Sequence, residues 1–296
     1  MLKADFWQPN NFGALPQPYA EFERSRIAVL PIPYETTTSY LPGTRQGPQA
    51  IIAASSQVEL YDEELETEPY QAGICTLNSL EPDLTSPQNM CKRIAGVAGW
   101  LAEQGKLPVA LGGEHTVSIG MIEGLAPHYP GLSVLQLDAH ADLRDEYQGS
   151  PYSHACALRR SREIVPVVQQ VGIRNLSRPE ADFVKANNLE LYYASKLMGD
   201  SGWMAQVVDR LTDPVYITLD LDVFDPGIMP AVGTPEPGGL GWYQVLDLLR
   251  QVCMRRKVVG FDVVELAPLP GNPAPDFMAA KLIYKIIGYL QKGLAK

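Results

Sequence analysis

The chain has 296 residues, 46% of them hydrophobic and 20% charged, with a formal net charge of −10 at neutral pH. That supplies a sizeable core and excludes a disordered chain, while the negative balance argues against a nucleic-acid partner, which calls for a basic stripe, and suits a cationic small molecule. Cys75, Cys91, Cys156 and Cys253 lack the spacing of a zinc motif or disulfide framework; with no apolar leader and no run near the roughly 20 apolar residues of a membrane span, a cytoplasmic protein with no membrane partner is expected.

Residues 1–25 are rich in proline and aromatics (Phe6, Trp7, Phe12, Pro16, Pro18, Tyr19). They show no period and read as an irregular arm, free to pack on a neighbouring subunit or on its own chain. Ile27 to Ile32 is a short buried strand, and a Thr/Ser/Gly loop (Thr36 to Gly47) leads into a helix near Pro48, a residue suited to a first helical turn. After an acidic surface stretch at Glu63, Glu64, Glu66 and Glu68, residues Met90, Ile94, Val97 and Leu101 mark one face of a helix that Gly105 ends. Pro108 to Leu111, Ser133 to Leu137, Val167 to Val171, Val215 to Leu219 and Val258 to Val264 read as strands, several apolar on both faces, as in a buried parallel sheet. Trp203 to Leu211, Tyr243 to Cys253 and Phe277 to Leu290 read as helices. The alternation predicts one α/β domain over residues 1–296, with helices on both faces of the sheet.

Three polar segments each follow a strand-like run: Gly112-Gly113-Glu114-His115, Asp138-Ala139-His140-Ala141-Asp142 and Asp220-Leu221-Asp222. A single carboxylate at such a place commonly caps a helix. Here His115, Asp138, Asp220 and Glu265 end four separate predicted strands, where ligands bind in open α/β sheets. Asp138, Asp142, Asp220 and Asp222 carry four negative charges beside neutral His115 and His140, which two divalent ions would cancel. Carboxylate-dominated sites with one imidazole per metal suit Mn²⁺, with Ni²⁺, Co²⁺ or Fe²⁺ as alternatives, and the absence of thiolates argues against structural zinc. Two such ions about 3.5 to 4 Å apart share a water acidified to hydroxide near neutral pH, ready to attack carbon or phosphorus.

These segments, with Thr218-Leu219-Asp220-Leu221-Asp222, Asp225-Pro226, Gly233-Thr234-Pro235 and Gly260-Phe261-Asp262-Val263-Val264-Glu265, resemble the ureohydrolases, the arginase and agmatinase family. The resemblance runs in order through roughly residues 31 to 270. It implies a three-layer αβα sandwich with a mainly parallel sheet, two Mn²⁺ per subunit, a trimer or hexamer, and hydrolysis of a guanidinium group to urea and an amine. It further implies one ion on His115, Asp138, Asp142 and Asp220, and another on Asp138, His140, Asp220 and Asp222. Asp138 and Asp220 would bridge, and Glu265, His154 and Asp142 would form the catalytic set. Glu265 would pair with the guanidinium, a role natural to a carboxylate facing a planar cation. His154 would assist proton transfer, for which an unperturbed pKa of about 6.5 is well placed.

Glu114 and Asp262 adjoin these residues and are expected to orient ligands or cap helices. His128 and the acidic run near Glu63 read as surface turn residues, and Tyr34, Tyr147 and Tyr152 could line a pocket, although aromatics in Gly/Pro loops more often serve packing. The segment Leu143 to Ser153 looks like the agmatinase type, lacking the Asn- and Ser-containing loop of arginases. Asp145 and Glu146 add charge expected to repel a carboxylate-tailed substrate. Agmatine, giving putrescine and urea, is the favoured substrate; N1-aminopropylagmatine, guanidinobutyrate and free guanidine are alternatives. A zinc deacetylase fits less well, for the chain has no adjacent histidines, and a catalytically silent binding or regulatory protein would not require an intact ligand set.

Overall fold

The computed structural model describes residues 8–199 and 202–294. Within them the apolar runs form one sheet of eight strands: β1 (Ile27–Ile32), β2 (Ile74–Thr76), β3 (Leu107–Gly112), β4 (Ser133–Leu137), β5 (Val167–Ile173), β6 (Leu191–Tyr193), β7 (Val215–Asp220) and β8 (Val258–Val264). The spatial order is β2-β1-β3-β8-β7-β4-β5-β6, and every pairing is parallel, where the sequence predicted a mainly parallel sheet. Successive residues serve opposite faces: Ile27 and Val29 join one core, while Ala28, Leu30 and Ile32 join the other.

The first core packs α1 (Gly47–Ser55), α7 (Gly202–Arg210), α8 (Trp242–Arg255) and α9 (Ala274–Leu294) on the sheet. The second packs α2 (Pro87–Glu103), α3 (Thr116–Leu125) and α4 (Ala157–Ile164), with Phe183 and Val184 of α5 (Arg178–Ala186) at its margin. This is the expected three-layer αβα sandwich. Helix α2 carries the expected apolar face, and at its start Ser86 Oγ accepts the Asn89 amide at 3.1 Å with Pro87 beside it. Helix α3 was not anticipated: of its ten residues only Glu123 escapes burial, so it carries no amphipathic stripe. It approaches α2 closely, for a Cβ on Gly124 would lie 2.3 Å from the Ala95 carbonyl oxygen.

The arm packs on its own chain from Asn11 onward, while Phe6 and Trp7 lie outside the described residues. Phe12 and Leu15 are buried in the first core, and the Phe12 and Gly13 amides donate to Thr76 Oγ1 and Ser55 Oγ. No helix among the described residues is long and apolar enough to cross a membrane.

Topology creates the crevice. The chain leaves β3 and β4 toward helices α3 and α4 on one face, and leaves β7 and β8 toward α8 and α9 on the other. Neighbours β3/β8 and β4/β7 therefore part company at their carboxyl ends, where an open parallel sheet binds ligands.

Glu63, Glu64, Glu66 and Glu68 are exposed, as expected of a surface stretch, but the residue before them is not. Asp62 is fully buried, and Lys285 of α9, itself buried, lies 3.0 Å from its Oδ1 and 2.6 Å from Glu64 Oε2. Tyr289 Oη adds a hydrogen bond to Glu64 of 2.8 Å. Removing one partner from such a buried pair strands a charge. Lys285→Met should lower unfolding free energy by about 3 to 5 kcal/mol in urea titration. Lys281→Met, whose pairing with exposed Glu63 is peripheral, should cost no more than about 1 kcal/mol.

Candidate metal centre

Four central strands deliver the site. After β3 the chain turns at Gly113, whose amide donates to Ile32 O and whose Cβ, were there one, would lie 2.0 Å from Tyr34 O. Glycine therefore permits the turn that sets His115 at the head of α3. Asp138 follows β4 directly, and the strand ends there, so Asp138, His140 and Asp142 fan from a turn; Asp142 sits at φ +51°. Asp220 closes β7, and its Oδ1 accepts the Asp222 amide at 2.9 Å. Glu265 follows β8 at φ +67°, donates its amide to Gly113 O, and accepts the His115 amide on Oε1 at 2.8 Å.

His115 Nδ1 lies 3.0 Å from Asp138 Oδ2, 3.1 Å from Asp142 Oδ2 and 3.4 Å from Asp220 Oδ2. His140 Nδ1 lies 2.8 Å from Asp222 Oδ2 and 3.6 Å from Asp138 Oδ1. Two groups have ligand atoms all within 4.8 Å of one another: His115, Asp138 and Asp220, and Asp138, His140 and Asp222. Asp138 is common to both. Asp220 falls within that distance in the first group, and its Oδ1, which accepts the Asp222 amide, keeps a lone pair on the side of the second.

The protons around His115 can be placed. Thr218 Oγ1 donates its one hydrogen to Asp262 Oδ1 at 2.8 Å, so it accepts from His115 Nε2 at 2.9 Å. In a neutral ring, Nδ1 is then a bare lone pair facing three carboxylate oxygens, and it has no hydrogen-bond partner. Without a cation the cluster must gather protons. Burial alone would lower the His115 pKa, but Asp138, Asp142 and Asp220 hold it well above the ordinary value; His140, likewise opposed by burial, is pushed up to about 12, chiefly by Asp222 and Asp138. Burial and Asp138 push Asp142 up to about 7, and burial with Asp222 and Asp138 raises Asp220 strongly. Divalent cations in place of those protons satisfy both the orphaned nitrogen and the crowded carboxylates. The donor set fits hard or borderline metal ions.

All eight residues singled out in the sequence meet at one cleft or its floor. His115, His140, Asp142, Asp220, Asp222, His154 and Glu265 line it, and Asp138 lies beneath, fully buried. One expectation fails. Asp145 and Glu146 do not line the cleft; Asp145 turns to α4, pairing with Arg160 at 2.7 Å. The loop instead presents Arg144 and Tyr147, with the guanidinium 4.7 Å from the ring centre and Arg144 Nε 3.9 Å from Glu180. The rationale for His154 also changes, since burial and positive charge on His115 and His140 pull its pKa down to about 4.

Tyr147 lines the cleft and Tyr34 is wholly buried, while His128 is exposed as expected, though it ends a 3-10 helix (Ala126–His128) where a turn was expected. Glu180, overlooked in the sequence, completes a capping box with Ser177, and its Oε1 accepts the Leu143 amide at 2.9 Å. The pattern Ser-x-x-Glu was its signal. Thr218 was also legible, for on a strand it shares a face with Asp220. Glu236, which bonds Asn175 and lies 3.9 Å from His140 Nε2, left none.

An α/β sandwich with two carboxylate–imidazole groups at its strand ends defines a class, the metal-dependent hydrolases built on an open parallel sheet. The chain belongs to the Arginase family, whose model matches residues 25–288, and is thus a guanidino hydrolase. It is 39% identical to the N(1)-aminopropylagmatine ureohydrolase of Synechocystis sp., over 95% of this chain and 96% of that protein. It is 34% identical to the agmatinase of Pyrococcus horikoshii, over 92% and 94%. The crystal structure of the agmatine ureohydrolase of Thermoplasma volcanium superposes with a TM-score of 0.89 at 28% identity, covering 98% of this chain and 97% of that one.

Metal loading should be readable as stability. Mn²⁺ at about 100 times its dissociation constant should stabilise the chelator-treated protein by about 2.7 kcal/mol per site. Asp138→Asn, altering both groups, should abolish this shift and bring metal content well below about one ion per chain, whereas Asp222→Asn should leave about one. Equal losses in the two variants would overturn the two-group assignment.

Proposed function

We propose that the protein hydrolyses the guanidinium group of an amine-tailed substrate to urea and the free amine, with N1-aminopropylagmatine favoured and agmatine as its shorter counterpart. The observation that carries this reading is Glu265, a buried carboxylate anchored through Oε1 to the His115 amide at the wall of the cleft. Oε2 is thereby left for a planar cation.

Two Mn²⁺ ions, on His115, Asp138, Asp142 and Asp220 and on Asp138, His140, Asp220 and Asp222, would supply Lewis acidity and a water of lowered pKa. Glu265 holds the guanidinium carbon in the path of attack. Burial pushes its pKa up to about 8, and a guanidinium in contact restores the charged form. His154 is neutral at rest. It takes a proton released as water adds to the guanidinium carbon, then gives it to the alkylamine nitrogen as the carbon–nitrogen bond breaks.

The lining charge supports an amine tail. With the four aspartates balanced by two divalent ions and Glu265 on the guanidinium, Arg144 is engaged by Glu180 and Tyr147 and so is not free to receive a carboxylate tail. At the mouth, Tyr40 and Leu41 are 70% and 43% exposed, an apolar lip for a polyamine chain. Preference for the longer substrate draws support from the 39% identical Synechocystis relative over the 34% identical agmatinase.

A kinetic panel on Mn²⁺-loaded protein tests this reading. kcat/KM should fall in the order N1-aminopropylagmatine, agmatine, guanidinobutyrate, arginine. Faster turnover of either carboxylate-bearing compound would refute the amine-tail assignment. Glu265→Gln, which keeps an oxygen for the His115 amide, should lower kcat/KM by about 100-fold or more with metal content retained.

A further inference from the structure

Loops after adjacent strands meet beside His154. β1 and β3 are paired, Ile32 opposite Gly112, so the segment following β1 lies against Glu114. Glu114 is fully buried; its Oε2 accepts the Thr36 and Thr37 amides, each at 2.7 Å, and its Oε1 pairs with Thr37 Oγ1 at 2.8 Å. Thr37 Oγ1 also accepts the His154 backbone amide at 3.0 Å and lies 3.1 Å from His154 Nδ1.

A hydroxyl has one hydrogen and two lone pairs. The Thr37 hydrogen goes to Glu114, one lone pair takes the His154 amide, and the second faces Nδ1. A bare Nδ1 would set lone pair against lone pair, so Nδ1 carries the hydrogen. Ser153 Oγ, 3.2 Å from the same nitrogen, can rotate to accept from it as well. Nε2 is then the unprotonated nitrogen of the neutral ring.

We infer that Thr37 is a positioning residue, backed by Glu114, that fixes His154 as the Nδ1–H tautomer and so makes Nε2 the atom that exchanges a proton with the substrate. This rests on the role proposed above for His154. The hydroxyl can be tested without releasing its loop, because the Thr36 and Thr37 amides remain on Glu114 and Glu35 holds the far end, accepting the Gly43 and Arg45 amides at 3.1 and 2.8 Å.

The ¹⁵N spectrum of histidine-labelled, Zn²⁺-loaded protein, with only four histidines to assign, should show His154 as the Nδ1–H tautomer. Thr37→Val should shift it to a mixture and lower kcat by about 10- to 100-fold, while KM and metal content move less than about threefold. Thr37→Ser should restore both the tautomer and most of kcat. An Nε2–H tautomer in the wild type, or an unchanged tautomer in Thr37→Val, overturns the inference. If the wild type turns over no guanidine, the proposed function falls, and the spectrum still decides the role of Thr37.

Discussion

The governing constraint is like charge packed where water is excluded. Neighbouring parallel strands run only about 4.8 Å apart, so acidic residues ending β4 and β7, with more in the turns beyond, are forced together. Asp138, Asp142, Asp220 and Asp222 are all buried. A fold holding four carboxylates there needs donors aimed at them, and the sheet supplies some from inside. Gln136 of β4 donates to Asp138 Oδ2 at 2.7 Å, Gln170 of β5 donates to Gln136 Oε1 at 2.6 Å, and Arg162 of α4 donates to Gln170 Oε1 at 2.9 Å. Burial lowers the Arg162 pKa to about 10, leaving it cationic at neutral pH. Positive charge thus reaches Asp138 through two buried amides, a conductor of polarisation laid across an otherwise apolar layer.

Sequence period tells where strands and helices bury their sides, and so it revealed the parts of the fold with a repeating contrast. β1, β4 and β8 were legible because short, largely apolar runs can lie between two helical layers, and α2 because Met90, Ile94, Val97 and Leu101 stand on one face. β2 and β6 were not, since three residues are too few to carry a period. The site was legible for a different reason: short-range clusters such as Asp138 to Asp142 must act together wherever the fold puts them. Thr37, 117 residues from His154 in sequence, has no such local companion. Its role exists only because β1 and β3 are neighbours. Asp145 shows the converse, a charge correctly noticed but directed away from the cleft by Arg160 on the following helix.

Carboxylates of the candidate metal groups divide their oxygens between the fold and the cleft. Asp220 gives Oδ1 to the Asp222 amide and turns Oδ2 toward His115; Asp222 gives Oδ1 to the Ala139 amide and turns Oδ2 toward His140. Glu265 repeats the pattern, Oε1 on the His115 amide. Each carboxylate is oriented by a backbone donor before any cation or substrate arrives, which removes the rotamer freedom that binding would otherwise have to freeze. Glu265 reaches this arrangement, and Asp142 its place facing His115, through left-handed backbone, a conformation that costs a non-glycine residue of order 1 kcal/mol and persists where the surroundings over-determine it. For Glu265 those surroundings are its own amide on Gly113 O and its carboxylate on the His115 amide, so the loop after β3 and the loop after β8 hold each other. The residue assigned to the guanidinium is therefore oriented by the same turn that carries His115 of the candidate metal group, and displacing either moves the other.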